Sequence, residues 1–243
     1  MTGFIMFSPI FGRRNVPNIA KAAMAFMFAV VMIMPMERDP ELERYTANAV
    51  VFMLLLVKEL VFGYIIGLII NIYFAVISMG GEITDMQMGL SMSQMYDPGS
   101  NIQMPLMGSF FNVAFMLIFF ITNSHTTLIE LIRISFDISP VTSFGFNTNI
   151  GIYIMNLFAH IFVLSMKIAF PIIAVELVTE TGIGIIMRAV PQIHVFVVGI
   201  QLKIFVGLFI MIAMCPVIAW FFDGMLREMN DYIYNALIVI ASE

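Results

Sequence analysis

Charge is scarce in this chain of 243 residues: only 11% are Asp, Glu, Lys or Arg, while 61% are hydrophobic. A soluble domain of ordinary composition is excluded, because about a quarter of its residues would be charged. A mean hydropathy of +0.99 points instead to a protein of the membrane or of a membrane complex. The net charge of -5 comes without any basic run, which argues against a nucleic-acid partner. Cysteine occurs once, as Cys215 before Pro216 in an apolar run. No intrachain disulfide can form, and a small buried hydrophobe is the expected role. His125, His160 and His194 lie far apart and form no HExxH pattern, so no metal is expected. No GxxxxGK[ST] loop is present for nucleotide, and no nucleophile motif supports a Ser/His intramembrane protease. No cofactor and no enzymatic activity are expected. The first apolar stretch has no basic residues ahead of it, so no cleavable signal is expected and the helices themselves direct insertion.

What is present is apolar sequence in long runs. Phe4 to Phe11 is too short to cross a bilayer, which takes about 20 residues. Gly12, Arg13, Arg14, Asn15 and Pro17 break the chain before a second run, Ile19 to Met36. A charged loop, Glu37 to Arg44, precedes a third and overlong run from Val50 to Met79, which Gly80-Gly81 are expected to end. Ile102 to Thr122 is a fourth run, and the connector Asn123 to Asn149 reads as an ordered loop. Ile150 to Ile186 is again overlong, with a kink expected at Pro171. Ile193 to Phe222 is the last long run. In the tail, Leu226, Met229, Ile233, Ala236, Leu237 and Ile240 recur at helical spacing. The class is therefore all-α, a multi-helix integral membrane protein with long kinked hairpins.

Charge bias gives no orientation. Alternate loops collect Arg13, Arg14, Lys21 and Arg188 on one side, and Arg38, Arg44, Arg133 and Arg227 on the other. An even split assigns no topology by the positive-inside rule. Many of these helices are then expected to be buried against other subunits rather than to cross lipid singly.

Two segments and a set of charges carry the functional signal. Between Asp85 and Gly108 the chain reads DMQMGLSMSQMYDPGSNIQMPLMG, Met-loaded and broken by Gly and Pro. Met is unbranched and soft, and broken backbone at membrane depth is tolerated where protein buries it or water lines it. This segment is a re-entrant loop with Met as filler, or a flexible gate across a channel. At 182–192, Gly182, Gly184 and Pro191 interrupt two apolar helices and form a hairpin tip bearing Arg188 and Gln192. Lys58, Glu59, Lys167, Glu176, Glu180 and Lys203 lie inside apolar runs, where each must pair or face water. Glu176 and Glu180 share a helix face at i, i+4. These charges form pairs across helix or subunit contacts, or else an ion relay. Gly63 and Gly67 allow close helix approach.

Three blocks then resemble the FliR/SctT family of type III export gates: SPIFGRRNVP (8–17), MQMGLSMSQMYDPGSNIQMP (86–105) followed by NSHTTLI (123–129), and GIIMRAVPQIHVFVVGIQLK (184–203). Their order and spacing match over essentially the whole chain, and the MGLS…DPGS and VFVVGI.LK wording is closer to the flagellar branch. Gln201 departs from the family's proline, which implies a straighter helix there.

The resemblance implies one export-gate domain over 1–243, with a FliP-like part at 1–122 and a FliQ-like hairpin within 123–243. It implies a non-enzymatic core subunit, assembled with FliP- and FliQ-like subunits and with FlhB-like and FlhA-like components. The location implied is the bacterial inner membrane, in the flagellar basal body, and the cargo is unfolded flagellar protein. In that family the loop matching 86–107 plugs the closed channel. Here Met86, Met88, Met92, Met95, Met104 and Met107 would form a compliant seal, with Tyr96 and Pro105 beside them. Asp97, Pro98 and Gly99 would set its turn. The residues alone leave two other readings: a stand-alone secondary transporter relaying ions through Lys58, Glu176 and Lys203, and a scaffold whose Met-rich loop only packs. A transporter should show internal repeats with matching broken segments. The regions 80–108 and 180–192 differ in length, composition and charge.

Overall fold

The computed structural model describes residues 1–12, 16–34, 48–91, 105–138, 149–190 and 195–241, the backbone alone at 195–197. Seven helices run through them: α1 (Thr2–Phe7), α2 (Asn18–Ile33), α3 (Ala49–Met88), α4 (Leu106–Ile121), α5 (Ser124–Ile138), α6 (Asn149–Ala189) and α7 (Val195–Ala241). No strand occurs among the described residues, in keeping with the all-α class. Three of the helices, α3, α6 and α7, are long and apolar enough to cross a membrane.

The chain divides into two compact units: Met1–Phe74 with Phe120–Phe158 and Met225–Glu243, and Ala75–Phe119 with Ala159–Gly224. In the first unit, α1 is seated on α3 where glycines remove side chains from the contact. A methyl group on Gly63 would fall 2.8 Å from Phe4 N, and one on Gly67 would fall 3.0 Å from Phe7 Cβ. Phe7 packs edge-on to Tyr64, with ring centroids 4.5 Å apart. The end of α7 supplies an apolar stripe to this unit. Leu226, Met229, Ile233, Ala236, Leu237 and Ile240 are all buried, as their spacing predicts. Tyr153 adds a cross-tie, donating its hydroxyl to the Tyr232 carbonyl at 3.0 Å.

Several expected boundaries move. Gly80-Gly81 do not end the third run, and α3 continues to Met88. The pair serves close approach instead, since a methyl on Gly80 would meet Ile168 Cβ at 3.2 Å and one on Gly81 would overlap the Gly108 backbone. The helix stops at Gly89, whose φ of 76° takes the left-handed conformation that only glycine adopts cheaply. The connector after Asn123 is not a loop throughout, because Ser124–Ile138 is helical. Asn123 (φ 57°) makes the turn, and Leu128, Leu131 and Ile132 bury one face of α5. Gly182 and Gly184 do not interrupt α6, which runs on to Ala189. Two glycines cost a 41-residue helix only about 1 kcal/mol each. Finally, the last apolar run and the amphipathic tail form one helix, α7, which passes through Pro216.

Candidate functional site

The second unit holds both ends of the Met-rich segment. Met86 projects outward at 68% exposure, whereas Met88 and Met107 are buried and Pro105 is half-buried. Met92, Met95, Tyr96, Asp97, Pro98, Gly99 and Met104 lie outside the described residues, as do Pro191 and Gln192 of the hairpin tip. Arg188 of that tip is described and exposed.

The ends of the segment are joined by contacts between α3 and α4. Asp85 is 3% exposed, and its two carboxylate oxygens accept the Met107 backbone N–H at 3.1 and 3.0 Å. Met107 is the second residue of α4, so the carboxylate stands at a helix N-terminus. There the unsatisfied N–H groups and the helix dipole both favour a negative charge. One turn back along α3, Gly81 meets the backbone of Gly108. One further turn back, Ser78 Oγ accepts the Asn112 side-chain amide at 2.7 Å, and the same amide donates to Gly108 O at 2.9 Å. Asp85, Gly81, Ser78 and Asn112 were not among the candidate residues read from sequence. Asp85 stands at the edge of the segment, but its partner is a backbone N–H, which no residue pattern announces.

The helical hairpin of α6 and α7 carries the internal charges of this unit. Lys203 Nζ is 3.1 Å from Glu180 Oε2. One turn away along both helices, Glu176 stands against Gly207, where a methyl group would fall 2.9 Å from Glu176 Oε1 and 2.6 Å from Met88 Cε. Glu176 is 1% exposed, and no hydrogen-bond partner reaches either carboxyl oxygen among the described residues. Met88, at the head of the Met-rich segment, is thus seated in a notch that only a glycine at 207 leaves open. Lys167 is exposed on α6. Lys58 and Glu59 belong to the first unit, where both are half-buried and Lys58 Nζ lies 5.3 Å from the centre of the Phe62 ring. The structure therefore brings Glu180 to Lys203, and Glu176 to Met88 and Gly207.

A buried carboxyl group with no hydrogen bond is costly, and its replacement by an apolar side chain of similar size is often neutral or stabilising. Glu176→Leu is expected to stabilise the purified chain by about 1 kcal/mol. Thermal unfolding in mild detergent measures this, and a lowered midpoint would show that Glu176 is held by an interaction worth keeping.

A groove of about 670 Å³ lies between α4 and α7 within the same unit, with Phe110, Val113 and Leu117 on one wall and Leu208, Ile212 and Cys215 on the other. Phe222, which also lines it, meets Phe111 and Phe115 edge-on, with ring centroids 6.0 and 5.5 Å apart. Cys215 is exposed here, not buried as its apolar neighbours suggested. The apolar run around it has two faces, and the chain buries only one of them.

Comparison with known proteins decides the family. The profile described as "Bacterial export proteins, family 1" matches residues 1–229. The chain belongs to that family. Among curated members it is 33% identical to the flagellar biosynthetic protein FliR of Bacillus subtilis, over 88% of this chain and 82% of that protein. FliR of Escherichia coli is 30% identical over 98% of this chain and 88% of its own length. Yop proteins translocation protein T of Yersinia pestis is 26% identical over 69% of this chain and 65% of its own. The resemblance read from the three motif blocks is borne out by these matches, and family 1 membership together with α3, α6 and α7 makes this a membrane-embedded component of bacterial export.

Proposed function

We propose that this chain is a core subunit of the flagellar type III export gate. It assembles with FliP-like and FliQ-like subunits around the channel for unfolded flagellar proteins, in the inner membrane at the flagellar base, beside FlhB-like and FlhA-like components. Residues 1–122 act as its FliP-like part, and 123–243 contain its FliQ-like hairpin. The observation that carries this reading is the whole-chain match to FliR proteins. The surface of α7 fits a chain meant to be covered, since only 11% of its most apolar stretch is buried within the chain, against 67% for α3. Large contiguous apolar surface of this kind marks contact with lipid or with other subunits.

The Met-rich segment 86–107 is the gate itself. Its methionines give a seal soft enough to wrap a passing chain of any sequence and tight against ions at rest. Its ends are joined at Asp85 and Met107, so the seal is tethered to rigid helices. The FliR names of its relatives favour export over a stand-alone transporter working through Lys58, Glu176 and Lys203.

Deleting residues 95–101 tests the gate. Assembly with the FliP- and FliQ-like subunits, judged by native mass in mild detergent, is expected to persist, while cells carrying the variant become leaky to small ions. An ion-tight, fully secreting variant would overturn the plug.

A further inference from the structure

The groove between α4 and α7 is a slot with a recessed middle. Val113 and Leu117, one turn apart on α4, stand exposed along one rim, and Leu208 and Ile212, one turn apart on α7, along the other. Between the rims Ala114 and Ile218 are half-buried and Met211 is buried. Every residue lining the slot is apolar, so an occupant finds no charge there and no side-chain donor stronger than the Cys215 thiol. Helix α7 is long and apolar enough to cross a membrane, and its most apolar stretch is left almost uncovered by the rest of the chain. A slot on such a helix opens to hydrocarbon, where an occupant with unpaired polar groups is costly.

We propose that this slot holds one acyl chain of a membrane phospholipid as a fixed part of the structure. Its size fits. On the scale by which a cavity of about 150 Å³ takes one benzene ring, the slot's 670 Å³ has room for roughly two dozen carbon atoms, one long chain. Its length fits as well, since Met107 to Ile118 on α4 spans about 16 Å at 1.5 Å per residue. One leaflet of a bilayer supplies about 15 Å of hydrocarbon, half of the whole core. A partner helix about 10 Å across is too wide to enter between two packed helices and would lay only side chains over the rims. A single hydrocarbon chain lies along the recess and restores the dispersion contacts that an empty slot forfeits on every wall. Lipid is also the solvent of this surface, so mass action fills the slot at modest affinity. The inference needs only a membrane-embedded chain and does not rest on the export-gate reading.

The full chain, taken from its membrane with whatever it is assembled with, is equilibrated with phosphatidylethanolamine carrying a diazirine in one acyl chain and then irradiated. Mass spectrometry locates the adducts. Trp220 and Phe205 are among the most exposed side chains of α7, and neither lines the slot. Lipid that only surrounds the protein marks residues in proportion to exposure, so these two would dominate. The expected result is the reverse, with adducts concentrated on recessed Ala114, Met211 and Ile218, and with one phospholipid per chain retained in native mass after extraction into mild detergent. Adducts that follow exposure, with the recessed residues unmarked, would overturn the proposal, as boundary lipid or as a slot filled by another subunit.

Two variants fill the slot from opposite walls: Ala114→Leu on α4 and Ala219→Leu on α7. Each is expected to lower the slot adducts and the retained phospholipid about tenfold, the factor that roughly a dozen lost carbon–carbon contacts produce. Adducts at Trp220 should stay as they were, which a general loss of fold would not allow. Retention that neither folded variant reduces would overturn the slot as the place of binding. Where a variant does not fold, the adduct pattern and native mass of the unsubstituted chain still decide the matter.

Discussion

Gly81→Val is expected to remove this chain from the export complex proposed above. A methyl group at position 81 already overlaps the backbone of Gly108, and a branched side chain cannot be placed there without parting α3 from α4. Overpacking against side chains that can yield costs about 1–3 kcal/mol. Here the obstacle is main chain, so a cost of at least about 3 kcal/mol is expected, a large share of the 5–15 kcal/mol that folded domains have in hand. The same displacement would draw Asp85 away from the Met107 N–H at the start of α4. The expected result is a chain that inserts but gives less than a tenth of the normal yield of the proposed complex with FliP- and FliQ-like subunits, by roughly the conversion of 1.4 kcal/mol per factor of ten. Native mass and complex yield in mild detergent measure it. Normal yield would mean that the helices do not meet at these glycines.

The second large effect is expected at Lys203. It pairs with Glu180 at 3.1 Å and stands one helical turn from the buried Glu176. Lys203→Glu would remove the cation and set three carboxyl groups along one contact between α6 and α7. The pair itself is partly exposed, with Glu180 61% and Lys203 21% accessible, and is worth only about 0–1 kcal/mol. The larger cost is like-charge repulsion, with a third carboxylate set one turn from the buried Glu176 and the cation gone. Yield of the proposed complex, and secretion through it, should both fall. Adding Glu180→Lys restores the pair with its ends exchanged and should recover most of both, whereas Glu180→Lys alone should not. Failure of the double variant to recover would place the importance of Lys203 elsewhere, for instance in contact with another subunit.

Much of this was legible before any coordinates. The apolar stripe from Leu226 to Ile240 announced its burial by spacing alone, and every member of it is buried. The three motif blocks pointed to the family that the whole-chain matches establish. What misled was the double meaning of glycine. Gly80-Gly81 reads as the end of a helix, yet in a hydrophobic run without competing turn chemistry the same pair serves the close crossing of another helix. The real stop was one glycine further, at Gly89, inside a sequence that looked like loop. The helix at Ser124–Ile138 was hidden for a similar reason, since its opening residues NSHTT favour turns and only the later LIELIRI carries an amphipathic period. The bond from Met107 to Asp85 could not be read at all, because sequence shows the acid but not the peptide N–H it receives.

The groove wall that carries Cys215 has a practical meaning. This is the chain's single thiol, and it faces outward from an apolar surface. A membrane-permeant fluorophore attached there would watch one location in an otherwise unmodified protein. Its emission colour would distinguish acyl chains from a neighbouring protein, and its rate of attachment during biogenesis would time the moment at which that side of α7 is covered.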